Sequence, residues 1–309
     1  ADERPVGDFV VTPQRTSILA HVGVGEAYGG DLRISLATAI VQRWIGRILW
    51  LGPAEPAAAA QWLTGGVARF VARELLQRYG LITLTEYGAE INRLLSLLAA
   101  SPLASVPNAD LVRRGDAQAA AVIVARGALY ATVVDRQLRA REGGQGGLLS
   151  ELRELVMKAV KVRAALPRSA WAAALDRRLG APSTPLFDRW IAQGTERKLP
   201  PTILGRCFVA GQRRYPEYSP GFDLDKTIPG VTSGILGLAG GGPAARAGLL
   251  ATDRLVRVRH RRGRPDVEVQ LVVERAGREL TIRYLPVGDT HTAQAFERVA
   301  GIPDTQCHR

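Results

Sequence analysis

The feature that most constrains this 309-residue chain is a pair of apolar stretches separated by a Gly-Pro break. The first, Leu36 to Trp50, reads L-A-T-A-I-V-Q-R-W-I-G-R-I-L-W. The second runs Q-W-L-T-G-G-V-A-R-F from Gln61 and keeps apolar residues at helical spacing as far as Tyr79. Residues four apart share a helix face, so Thr38 and Gln42 look out together, with Ala39 beside Thr38. Gly52-Pro53 stops the first helix, and P-A-E-P-A-A-A-A over 53–60 makes a Pro-capped entry to the second. The two helices are expected to meet along the face that carries Thr38 and Gln42. Taken alone, the pattern is that of an ordinary amphipathic helix pair.

Helical periodicity continues downstream. L-T-E-Y-G-A-E-I-N-R-L-L-S-L-L after Thr83 predicts a helix capped by Thr85, and Ser101 to Asn108 a Pro-punctuated loop. Ala117 to Arg141 predicts a long buried helix. Leu148 to Val162 is amphipathic, with apolar residues at i, i+3, i+4 and i+7, and Met157 within it reads as core filler. Trp171 to Leu179 is a further helix closed by Gly180. The chain then changes character. Val267 to Val273 and Glu279 to Leu285 alternate as strands and are joined by Arg275-Ala276-Gly277-Arg278, a hairpin signal. Residues 8 to 24 read as one or two strands, with His21 packed at an edge or in the core. The expected class is α+β, a mainly helical part followed by a smaller β-rich one.

Composition narrows the class. Apolar residues are 46% and charged residues 23% of the chain, the balance of a globular protein. Arg, Gly or Pro interrupts each apolar run, so none is expected to span a bilayer. A net charge of +12 raises nucleic acid or an anionic surface as partners, yet the basic residues are scattered. One cluster, Arg257-Val258-Arg259-His260-Arg261-Arg262-Gly263-Arg264, lacks interleaved aromatics for base stacking and reads as a solvated basic turn, so no nucleic-acid partner is expected. The histidines His260, His291 and His308 are dispersed, and no G-x-S-x-G motif supports serine hydrolysis. Cys207 and Cys307 are compatible with one disulfide or two free thiols and exclude a cysteine-rich zinc site. The chain begins at Ala1 and its one methionine is Met157. That is expected either after removal of a signal peptide or in a trimmed chain, and an extracytoplasmic home (periplasmic or secreted) is favoured.

Thr38-Ala39-Ile40-Val41-Gln42 with Arg43-Trp44-Ile45-Gly46, and Trp62-Leu63-Thr64-Gly65-Gly66-Val67-Ala68-Arg69-Phe70, resemble the H-E-x-x-H, H-x-W-x-G and W-L-x-E-G-x-A-x-F motifs of gluzincin peptidases. Together with the glycine-rich motif that starts at Gly241, they resemble the glycyl aminopeptidase family, whose members carry a C-terminal PDZ domain. The resemblance implies a thermolysin-like helical domain. In such an enzyme two histidines and a glutamate hold zinc and a second glutamate activates the bound water. Here Thr38 and Gln42 stand at the histidine positions, Ala39 at the general base and Gly65 at the third ligand. Gly29 to Ser35 resembles the family's cleft-edge strand without its Glu and His. Val124-Ala125-Arg126-Gly127-Ala128-Leu129, continuing through Val134-Asp135 and Leu138-Arg139 to Gly143-Gly144, resembles the Y-x-K-G-x-L segment, with Val124 in place of the oxyanion-stabilising tyrosine. Tyr130, six residues on, falls about 240° around a 3.6-residue helix and should not face the same cleft. Pro185 to Ile191 with Gly194 and Leu199-Pro200 resembles the end of the family's catalytic domain, and the family's N-terminal β-rich domain has no counterpart.

Gly241-Gly242-Pro243-Ala244-Ala245-Arg246-Ala247-Gly248-Leu249 through Thr252-Asp253-Arg254-Leu255 resembles the bacterial PDZ signature. That implies a short helix from Pro243, a left-handed Gly248 and a strand from Asp253. PDZ domains bind peptides by strand addition and hold the terminal carboxylate on backbone N–H groups. Pro220, Gly221, Phe222, Asp223 and Leu224 make the candidate loop. The alternative is that Phe222 plugs the core. The expected organisation is N-terminal strands and cleft edge over 1–35, a peptidase-like domain over 36–215, a PDZ domain over 216–289 and a tail over 290–309 that packs back on a domain, where Cys307 could reach Cys207.

Two functions are compatible with these residues. In the first the chain is a non-catalytic peptidase homologue, needing no metal or cofactor, that binds a peptide or protein partner or serves as a subunit of a larger assembly. In the second it is a hydrolase whose active site is completed by a partner or built from unrecognised residues.

Overall fold

Residues 117–141 set the architecture. They form a 25-residue helix, and Val122, Ile123, Ala125, Ala128, Leu129, Tyr130, Val134 and Leu138 along it are buried. With apolar residues all round, such a helix is stable only inside a protein core or a bilayer. It is long and apolar enough to cross a membrane, contrary to the expectation that no run would be, but 72% of its most apolar window is covered by the rest of the chain. In the computed structural model the described residues are 9–14, 17–23, 27–52, 57–141, 143, 146–261 and 263–307.

Strands β1 (Phe9–Pro13) and β2 (Ile18–Val22) pair first, with His21 exposed on β2 rather than packed. Then come α1 (Gly30–Val41), a π-helical segment (Trp62–Val67) that runs into α2 (Ala68–Arg78), α3 (Leu84–Ala100), α4 (Asn108–Arg114), α5 (Ala117–Arg141), α6 (Leu148–Val162) and α7 (Ser169–Leu179). One turn, α8 (Thr184–Phe187), leads into a second π segment (Asp188–Ala192). Strand β3 (Phe208–Tyr218) pairs with the last strand, β7 (Val287–Arg298). Between them lie the four-residue α9 (Pro243–Arg246) and an antiparallel sheet of β4 (Arg254–Arg259), β5 (Val269–Arg275) and β6 (Arg278–Tyr284). The chain is therefore a mixture of helix and sheet, compatible with α+β.

Met157 on α6 is 61% exposed and does not fill the core as the sequence reading has it, and two elements are placed differently. The first helix covers Gly30–Val41 instead of Leu36 to Trp50, so residues 30–35 are helical and not an edge strand. Gly29, extended at φ −82°, is its N-cap and Asp31 sits in its first turn, where the helix dipole favours an acid. Beyond Gln42 the chain turns, and Gly46 at φ +112° takes a conformation that ends any continuation. The cap of α3 is Thr83, not Thr85. Its hydroxyl accepts from the Glu86 N–H while the Glu86 carboxylate accepts from the Thr83 N–H, a complete capping box.

The backbone divides into two units. The larger takes Tyr28–Arg213 and residues from Ala293 on; the other takes Arg214–Thr292; residues of β1 and β2 are shared between them. The larger unit's core surrounds α5, with Trp62, Val67, Phe70, Ile91, Leu94 and Trp171 against it. The other has its own core of Phe222, Ile235, Leu249, Leu255, Val269, Leu271, Val273, Ile282 and Tyr284.

Cys207 and Cys307 form a disulfide, with Cα atoms 5.6 Å apart across a sequence separation of 100. It fastens the C-terminal segment to the chain around residue 207, as do the Arg298 guanidinium on the Cys207 carbonyl and the Arg206 guanidinium on the Gln306 carbonyl. Chain entropy alone allows about 4.7 kcal/mol for a loop of this length. Because the other anchors persist, Cys307→Ser is expected to cost about 2 kcal/mol. Urea melts of the variant and of the oxidised wild type check this, and equal midpoints would refute it.

Candidate functional site

The sequence-selected positions lie on α1, the first π segment and α5. Thr38 is half-buried on α1, and its hydroxyl donates to the Ile34 carbonyl at 2.6 Å, a bond within its own helix. Ala39 is buried. Gln42, just past the helix end, donates its Nε2 to the Thr64 carbonyl at 2.8 Å. This ties the end of α1 to the residue before Gly65.

Glycines decide how closely the π segment approaches α5. A Cβ on Gly65 would stand 2.7 Å from Cγ2 of Val124; one on Gly66 would stand 2.6 Å from the Gly127 Cα; one on Gly127 would stand 2.1 Å from the Trp62 carbonyl oxygen. The two backbones are thus in contact through residues without side chains, and the Val124 methyl occupies the ground in front of Gly65. The structure therefore joins Gln42 to Thr64 and Gly65 to Val124, while the Thr38 hydroxyl bonds within α1 and Ala39 is buried. Tyr130 is fully buried in a ring cluster with Trp62, Trp171 and Phe187, where its Oη accepts the Trp171 indole N–H at 3.1 Å. Burial pushes its phenol pKa up, so it stays protonated.

Sequence reasoning missed a polar layer between α2, α3 and α5. Glu74, Tyr87, Thr132, Asp135, Arg136 and Arg139 line a shallow depression with room for about one water molecule. Tyr87 donates to Glu74, the buried Arg73 bridges Glu74 and Thr132, and Asp135 takes the Arg139 guanidinium at 2.7 Å and the Leu148 N–H at 2.9 Å. Burial, then the Glu74 charge, raises the Asp135 carboxyl pKa despite Arg139. One clue was legible, an aspartate and a threonine inside an apolar helix. Among the described residues no three His, Cys, Asp or Glu side chains converge as a metal site would need.

In the other unit the candidate loop is held from several sides. The Pro220 carbonyl accepts Tyr284 Oη at 2.6 Å and the Gly221 carbonyl accepts the Ala239 N–H at 2.8 Å. Gly221, at φ +83°, passes so near α9 that a Cβ would stand 2.9 Å from the Ala244 nitrogen. Phe222 is buried in that unit's core and Leu224 packs on it, while Asp223 pairs with Lys226 at 2.9 Å. Gly248 has φ +94°. Asp253, fully buried, accepts the Leu250 N–H and the Arg275 guanidinium, whose Nη2 also reaches the Gly248 carbonyl. The β5–β6 hairpin turns on Ala276 and Gly277, both at positive φ, as a two-residue loop requires. Of the histidines, His291 pairs with Glu217 and His260 with Tyr218; Arg262 and His308 lie outside the described residues.

No protein-family model matches the chain, and no curated protein matches it. Among solved structures, the crystal structure of an aminopeptidase N family protein from Idiomarina loihiensis matches with a TM-score of 0.58 at 14% identity. The match covers 97% of this chain and 60% of the other, so the chain spans about three fifths of that protein's length. At this identity the likeness is one of fold alone, to a peptidase-like fold.

Proposed function

We propose that this protein is a metallopeptidase-like scaffold that no longer hydrolyses peptides and acts by binding a peptide or protein partner, as an adaptor or a subunit of a larger assembly. In this reading Tyr28–Arg213 corresponds to a gluzincin-like helical domain and Arg214–Thr292 to a PDZ domain. The fold-level likeness to an aminopeptidase N family protein supports a peptidase-like fold, the coarser part of that assignment.

The observation that carries the proposal is the closure between Gly65 and Val124. Structural and catalytic zinc sites are built from imidazole, thiolate and carboxylate. The residues here do not fit that ion. The Thr38 hydroxyl is spent on Ile34, the Gln42 amide holds Thr64, and Gly65 faces a methyl group. A valine at the oxyanion position has no proton to donate. Burying apolar groups there instead of ligands avoids unpaired charge, so the scaffold keeps its stability without metal. No cofactor is proposed. The Cys207–Cys307 bridge supports an oxidising, extracytoplasmic location. Partner binding is assigned to Pro220, Gly221, Asp223 and Leu224, with Phe222 as the buried support beneath them.

The purified chain, dialysed against zinc, is expected to retain substoichiometric metal by plasma mass spectrometry and to turn over no aminoacyl anilide or peptide. Stoichiometric zinc with peptide turnover would overturn the reading in favour of a hydrolase.

A further inference from the structure

Among the described residues, buried charges are paired with one exception. Arg73 holds Glu74 and Thr132, Glu90 holds Arg69 and Arg93, Asp135 holds Arg139, Glu151 holds Arg178 and Asp253 holds Arg275. Arg126, 1% exposed on α5, has no acid beside it among the described residues. Its Nη2 donates to the carbonyls of Ala104 at 3.0 Å and Val106 at 2.7 Å, and its Nε and Nη1 have no acceptor among the described residues. Burial, then the positive charge of Arg197, pushes its pKa down to about 10. An acid partner would push it the other way.

The surroundings are shaped around this guanidinium. Gly194, at φ +65°, lies against it, and a Cβ there would fall 1.9 Å from Nη2. Any other residue at that position would evict the group. Arg197, three residues on, is exposed. A second cation near an unpaired buried one is unfavourable for an empty site and favourable for one that receives an anion. Guanidinium groups with free N–H donors in a low-dielectric setting bind oxyanions most strongly. Arg126 is two residues from Val124, about 200° around the helix, so this face of α5 is distinct from the one that meets Gly65.

We propose that Arg126 anchors a binding site for a small oxyanion, a carboxylate or a phosphate group. The anion accepts hydrogen bonds from the donors that have no partner and offsets both positive charges. The inference stands apart from the loss of peptidase chemistry, since it uses none of the same residues.

The test is thermal unfolding and titration calorimetry of the full chain at constant ionic strength, with inorganic phosphate and acetate as separate probes. At least one anion is expected to raise the midpoint saturably, as mass action requires of a ligand that binds the folded state. A response to phosphate alone assigns the phosphate class, and one to acetate alone the carboxylate class. Arg197→Ala, an exposed change that leaves the core intact, is expected to weaken binding several-fold, and Arg126→Met to abolish it. No saturable response in the wild type overturns the proposal. So does a response that Arg197→Ala leaves unchanged, even if Arg126→Met fails to fold.

Discussion

Gly127→Ala is expected to cost about 4 kcal/mol, towards the upper end of what a single added methyl does. The site explains the size of the effect. A Cβ at residue 127 would lie 2.1 Å from the Trp62 carbonyl oxygen and 2.8 Å from the Trp62 carbonyl carbon and Cα. Real Cβ atoms do not approach so closely, and the obstacle is backbone, which cannot rotate away as a side chain can. The π segment would have to lift from α5, and with it Trp62, which meets Tyr130, Trp171 and Phe187 edge to face. Alanine's better helix propensity returns only about 1 kcal/mol. Gly65→Ala makes an internal control, because its clash at 2.7 Å is with a Val124 methyl and a rotamer change relieves part of it. Urea denaturation followed by far-ultraviolet circular dichroism gives both values. A Gly127→Ala midpoint within error of wild type would mean the two backbones are not in contact.

That contact marks where sequence reasoning reached its limit. The ends of α5 and α6, Ala117–Arg141 and Leu148–Val162, are legible because the apolar run of α5 and the apolar face of α6 begin and stop there. The end of α7 at Gly180 and the β5–β6 turn are legible from glycines that only positive φ explains. The first helix was misplaced because Gly29-Gly30-Asp31 looks like a turn, whereas Gly29 is a cap and Asp31 a first-turn acid. The cap of α3 was missed although Thr83-x-x-Glu86 spells a capping box, since Thr85 stood nearer the apolar run. Gly65-Gly66 in the sequence marks a place where side chains are absent without saying what arrives there. What arrives is Val124 and Gly127, some sixty residues on. The charge partners were likewise illegible. That Arg73 finds Thr132 and Arg126 finds only carbonyls depends on which helices meet, and local patterns carry no such information.

Glu90→Gln is expected to destabilise the protein by about 3 kcal/mol at neutral pH, the lower part of the range for breaking a buried charge pair. Glu90 is 1% exposed on α3, and both its oxygens are used. Arg69 Nη2 donates to Oε2 at 3.1 Å, Arg93 Nε to Oε2 at 2.9 Å, and Arg93 Nη2 to Oε1 at 3.1 Å. Glutamine keeps the shape but removes the charge that two guanidinium groups surround. Arg93, with its side chain 40% exposed, can turn to water and soften the loss; Arg69, 16% exposed, has less freedom. Burial by itself would raise the Glu90 pKa, and Arg69 and then Arg93 overcome it, leaving the carboxyl far below its ordinary value. A depressed folded-state pKa contributes stability that is complete above the unfolded value of about 4.3 and is lost as pH falls through it towards the folded value. The gap between wild type and Glu90→Gln should therefore stay constant from neutral pH down to about 5 and narrow by about 1 kcal/mol at about pH 3.5. Subtracting the variant removes the other carboxylates, which titrate alike in both proteins. Paired urea melts at those pH values measure the gap, and one that widens on acidification would show that Glu90 is folded into the core protonated, with neither arginine holding its charge.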